Sequence, residues 1–195
     1  MNAAARLLFV TALLTVPDVA CAHPAFAGAD GFTGGVLHPF FVLAHALAII
    51  AMGLLIGWQK QRRISLFAFA IGLAAGMIAI ANAYVPSFAD LALLVLALIA
   101  GTLVALGNRL SSRLTSPLAI AIGTVIALDS PPEAMTVSTA IETQIGTFCG
   151  ATIFLYAVSE VAARLKQHWQ HMGMRIIGSW IAACAILVLA LQFAK

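Results

Sequence analysis

The chain has 195 residues, 63% of them hydrophobic and only 9% charged, where a soluble globular domain carries about 25% charged residues. A mean hydropathy of +1.05 excludes an ordinary soluble domain and places the chain among polytopic membrane proteins. The formal charge of +3 does not point to nucleic acid, because the basic residues lie in short clusters between apolar runs, as membrane topology requires.

The first segment reads as a cleaved signal peptide. Arg6 supplies a positive start, Leu7 to Val16 is an apolar stretch of suitable length, and Pro17 breaks it ahead of Ala20-Cys21-Ala22, a small-residue cleavage site. Asp18 stands where a lipoprotein signal wants an aliphatic residue, which weakens a lipid anchor through Cys21. Residues 1–22 are therefore expected to be removed, leaving His23-Pro24 at the mature N-terminus. The other two cysteines, Cys149 and Cys184, fall in apolar runs and read as small buried hydrophobes. An odd count argues against a disulfide framework.

Six apolar runs follow, and residues 23–195 are expected to form an all-α domain of six transmembrane helices. The runs are Val36 to Trp58, Ile64 to Tyr84, Leu91 to Gly107, Thr115 to Leu128, Thr136 to Ala163, and Ile176 to Phe193. The fourth is short for a bilayer core of about 30 Å. Lys60, Arg62 and Arg63 follow the first run, Arg109 and Arg113 the third, and Arg164, Lys166 and Arg175 the fifth. The intervening connections carry Asp90, Asp129 and Glu133 but no Lys or Arg. This alternation predicts basic loops in the cytoplasm and both termini in the periplasm of a bacterial inner membrane. Gly72 and Gly76, and again Gly146 and Gly150, are spaced to let helix backbones approach closely.

Polar groups inside such runs are costly and face a bundle interior or a water-filled path. His38 and His45 are the only titratable groups between Gly35 and Trp58. Pro39 places His38 at the first turn of a helix, near the outer mouth. On a continuous helix His45 lies on the same face and about 10 Å deeper. That separation predicts successive stations along one path rather than two ligands of one ion. Neutral imidazole suits nickel, copper, zinc or cobalt. Two bundle histidines bonded to neighbouring helices are the plainer alternative.

Glu142 is expected about two turns into the fifth run, at the depth of His45, where contact between them would satisfy both. The plainer alternative is a neutral Glu bonded across helices. Thr139, Thr143 and Gln144 add polar lining nearby. His23, as a terminal residue, offers an amine and an imidazole that could chelate a metal with Asp30 or His38. Glu160 is expected to pair with Arg164 one turn on. His168 and His171 flank Trp169 beside basic residues and read as an interfacial anchor. No catalytic constellation is present: there is no G-x-S-x-G, no phosphate-binding loop, no H-E-x-x-H and no Cys with a matched His. An enzyme is not expected.

The order of features resembles the HupE/UreJ family of membrane proteins. The stretch His38-Pro39-Phe40-Phe41-Val42-Leu43-Ala44-His45 is similar to the family's first-span motif H-P-x-x-G-x-D-H, with Val42 at the family's Gly and Ala44 at its Asp. Met52-Gly53-Leu54 to Trp58, Gly146 and Arg175-Ile176-Ile177-Gly178 extend the resemblance weakly over the mature chain. The family's histidine-rich stretch falls near Leu128 to Glu133, where only Glu133 matches. The resemblance implies nickel permeation linked to hydrogenase or urease maturation. It implies a transported divalent metal, nickel or cobalt, with no permanently bound cofactor. Taken with the reading of the polar groups above, the metal residues would be His38, His45, Glu142 and His23, and the partners the lipid bilayer and the ion. A non-transporting accessory protein derived from such a permease is the alternative.

Overall fold

The computed structural model describes residues 31–59, 61–107, 110–132 and 136–194. The expected signal peptide, His23 and Glu133 lie outside the described residues. The described residues form seven helices: α1 Gly31–Phe41, α2 Leu43–Gly57, α3 Arg62–Ala81, α4 Ala89–Leu106, α5 Ser112–Leu128, α6 Val137–Arg164 and α7 His168–Phe193. No strand occurs among the described residues.

Four helices, α3, α4, α6 and α7, are long and apolar enough to cross a membrane. The first apolar run is not one straight helix. It divides into α1 and α2, bent by 71° at the break, and the pair counts as a fifth candidate span. The short fourth run forms α5, whose 17 residues reach about 25 Å.

The break falls at Val42, whose backbone is extended (φ −81°, ψ 116°). Its N–H donates to the His38 carbonyl, closing the last turn of α1, and its own carbonyl accepts from Ala46, opening α2. Aromatic and β-branched residues lose rotamer freedom in a helix, and Phe40, Phe41 and Val42 stand together at this point. Pro39 sits in the last turn of α1, not in the first turn of a span.

Twelve of the fifteen residues of α2 are buried. It is the central helix, and a helix apolar all round belongs in that position. By contrast, α7 buries only Met174, Gly178, Ile181 and Ala185, while Trp180, Leu187, Leu191 and Phe193 point outward. Lipid is as apolar as these side chains, so helix association rests on close packing. Glycine supplies it. A methyl group at Gly35 would lie 2.0 Å from the Thr143 carbonyl oxygen, and at Gly146 or Gly150 it would lie 2.2 Å from those of Phe32 or Val36. The α1 and α6 backbones therefore touch along this seam, which the stacked rings of Phe40 and Phe154 extend at 4.4 Å. A second seam joins α3 to α5 through Gly72, Gly76 and Gly123. There the Thr124 hydroxyl donates to the Gly72 carbonyl at 3.0 Å.

The helix ends sort by charge. Arg62 pairs with Glu160 at 2.8 Å, Arg175 donates to the Ala105 carbonyl at 2.9 Å, and Trp58 meets His171 with ring centroids 5.9 Å apart. These contacts gather the segments carrying Arg62, Arg113, Arg164 and Arg175 at one end of the bundle. Glu160 thus bonds across to α3, correcting the expected pairing with Arg164 on its own helix. Beside it, the Ser65 hydroxyl donates to Gln59 Oε1 at 3.0 Å and lies 3.1 Å from that of Thr115. Ser65 and Thr115 are fully buried. These hydroxyl and amide groups tie α2, α3 and α5 together. At the opposite end Gln192 donates to Asp90, joining the end of α7 to the start of α4.

Candidate metal site

The bend brings His38 and His45 together. Their ring centroids are 5.0 Å apart and the planes cross at 72°, edge to face. The expected spacing of about 10 Å assumed an unbroken helix; turning the chain by 71° at Val42 removes that assumption. The two imidazoles are neighbours rather than successive stations. Around the break the helical ladder stops at the His38 carbonyl and resumes at that of Val42. The carbonyls of Pro39 and Phe40 therefore close no helical turn.

His45 is completely buried. Its Nε2 lies 2.9 Å from Oδ2 of Asp129, whose side chain is 14% exposed. Its Nδ1 is buried and has no hydrogen-bond partner among the described residues. Asp129 follows the last residue of α5, where its N–H closes the helix onto Val125. A carboxylate at that end faces the negative pole of the helix, which disfavours it by about 0.3–1 kcal/mol. The histidine across from it is the compensating group.

This bond replaces the expected contact between His45 and Glu142. Glu142 is exposed, and its Oε2 would lie only 2.7 Å from a methyl group at Gly31. The reason is that α1 covers the small-residue face of α6 at this level, so Glu142 meets the start of α1 and not α2. A carboxylate there is favourably placed against the positive pole of α1. Thr143 donates to the Thr139 carbonyl at 2.9 Å and Thr147 to that of Thr143 at 3.0 Å. Neither hydroxyl turns toward the histidines.

The row His38, His45, Asp129 is a chain of pairwise contacts. Among the described residues no three His, Cys, Asp or Glu side chains form a group that could hold one ion. Two imidazoles, one of them oriented by a carboxylate, are what the site offers. Metal-bound histidines almost always give their second ring nitrogen to such an acceptor. Asp129 escapes the sequence reading, where it is one acid in a loop without basic residues. The signal that marks it is its position at the end of an apolar helix, where acids are disfavoured.

No curated protein and no solved structure matches the chain significantly. The family described as HupE / UreJ protein matches over residues 11–188, nearly the whole length. With its bent histidine-bearing first span among apolar helices of membrane-crossing length, the chain belongs to the HupE/UreJ family.

Proposed function

We propose that this chain is an inner-membrane permease for a divalent transition metal, nickel first and cobalt second. The observation that carries this reading is the contact of His38 and His45 across the break of a bent span. Broken helices in transporters place ion sites where backbone and side chains converge, and imidazole donors suit borderline divalent ions. Glu142, exposed at the start of α1, is a carboxylate that attracts the cation; His38 and His45 receive it next. In this reading α5 is a sixth, short span. The ends carrying Arg62, Arg113 and Arg164 face the cytoplasm, both termini face the periplasm, and residues 1–22 are removed. The ion passes without chemical conversion.

A second reading has one observation in its favour: no preformed three-ligand group exists among the described residues. On that reading the chain is a non-transporting accessory protein that kept the bundle. Uptake of radiolabelled nickel by cells expressing the chain separates the two. A permease gives uptake above the empty vector that His38→Ala and His45→Ala each abolish at normal membrane levels. No uptake by the wild-type chain favours the accessory role.

A further inference from the structure

We propose that Asp129 is a positioning residue that holds the proton of His45 on Nε2, making Nδ1 the nitrogen that takes the metal ion. The proposal rests on the permease reading above, and it names an atom and a residue which that reading does not require.

Three observations carry it. First, the bonded pair is Nε2 with Oδ2 at 2.9 Å. An ionised carboxylate has acceptor sites only, whereas a hydroxyl or amide both donates and accepts. Of the side chains that could satisfy a buried imidazole, a carboxylate is the one that dictates which nitrogen keeps the hydrogen. Second, Nδ1 is buried yet meets no hydrogen-bond partner among the described residues. With the proton held on Nε2, Nδ1 presents a lone pair, and a buried acceptor without a donor is disfavoured unless something else occupies it. Third, Asp129 stands directly after the last residue of α5, the end where a negative charge is unfavourable. A purely structural tie between α2 and α5 needs no charge there; an Asn or Ser would serve. Local rules broken in this way mark functional positions.

A second imidazole stands beside His45: the ring of His38 lies 5.0 Å from it, edge to face. Imidazole donors suit nickel, cobalt or zinc, whereas copper(I) prefers thiolates and thioethers.

The test uses the purified full chain in detergent, wild type and the variants D129N, D129E and H45A. Nickel binding is measured calorimetrically, and the histidine tautomer by nitrogen-15 NMR on the metal-free protein. Expected results are a proton on Nε2 of His45 in the wild type and a nickel affinity roughly 10–100-fold lower in D129N. D129E, which keeps the acceptor-only group, should recover most of that loss. Thermal unfolding of D129N should stay close to wild type, separating lost orientation from lost fold; if D129N does not fold, the wild-type tautomer and D129E decide. A proton on Nδ1 in the wild type, or nickel binding by D129N within two-fold of wild type, overturns the proposal alone. Wild-type protein that binds no nickel overturns the permease reading and this proposal with it.

Discussion

His45 on α2 and Asp129 at the end of α5, 84 residues apart in sequence, meet at 2.9 Å with His45 fully buried. This bond links the centre of the bundle to the end of α5. It also joins the two halves of the described chain at the point where the first span changes direction. A histidine at the start of a buried half-helix would otherwise leave both ring nitrogens unsatisfied. The acid supplies one partner; the other nitrogen, Nδ1, has none among the described residues.

The pair should be visible as an energetic coupling. A double-mutant cycle over H45F and D129A, which removes the acceptor altogether, read by thermal or denaturant unfolding in detergent, is expected to give about 1.5–3 kcal/mol, the range for a hydrogen bond to a charged group. The double variant should lose less stability than the two single losses added together. A coupling under about 0.5 kcal/mol would show the two side chains to be adjacent without being joined.

Glycines divide sharply by what surrounds them. Gly35→Ala places a methyl group 2.0 Å from the Thr143 backbone, so α1 must lift from α6, at a cost of about 1–3 kcal/mol for overpacking. His38 would move with α1 and lose its contact with His45. Gly173, in the first turns of α7, has nothing within 4 Å of an added methyl group. Gly173→Ala should be neutral or stabilise by up to about 1 kcal/mol, because alanine is the better helix former. Unfolding midpoints of the two variants should therefore move in opposite directions; equal losses would contradict the seam.

Much of this molecule is legible in the sequence, and the parts that are not share a cause. Apolar runs and basic clusters mark the helices well, since composition alone reports them. The break at Val42 is hidden because a uniformly apolar run has no polar stripe to show where the backbone turns. Reading the run as one helix puts His38 and His45 two turns apart. Depth along α6 puts Glu142 level with His45, but depth says nothing about which helix covers a given face. His45 stands out in the sequence as a polar group in an apolar run, yet its partner emerges only in three dimensions. The Gln59, Ser65 and Thr115 network escapes for the same reason: neutral polar residues near helix ends give no sequence pattern.

The end of α3 offers a prediction independent of function. Ala83 has a φ of 61°, the left-handed region that glycine occupies freely. Around it the Tyr84 N–H bonds to the Ala79 carbonyl and the Ala83 N–H to that of Ile80, a helix stop that normally carries glycine. An L-residue in this region is disfavoured by roughly 1–2 kcal/mol. Ala83→Gly should raise the unfolding midpoint, with the gain reduced by the greater freedom of glycine in the unfolded chain. A lowered midpoint would mean that the turn is made some other way.

Topology can be checked without reference to transport. Enzymatic reporters fused at Arg113 should report cytoplasm, and those fused at Ser130 should report periplasm. Only 17 residues of helix separate the two loops, so α5 must cross a locally thin region or tilt little. Both reporters on one side would turn α5 into a re-entrant segment and leave the chain with five spans.

Glu142, on α6 against the start of α1, and His38, near the end of α1, sit at different levels, and their substitutions should differ in kind. The Glu142 carboxylate is exposed, beside Gly31 at the start of the helix. Replacing it with Gln removes a charge that favours α1 by about 0.3–1 kcal/mol and that, on the permease reading, draws cations toward the histidines. Nickel uptake should then need a few-fold higher metal concentration for half-saturation, with little change in maximal rate, and the effect should shrink at high ionic strength, where exposed charges are screened. His38→Ala removes an imidazole from the break itself, so added metal or altered salt should not restore uptake. If Glu142→Gln abolishes uptake at every nickel concentration, the carboxylate is a ligand in its own right and the path must begin on α6.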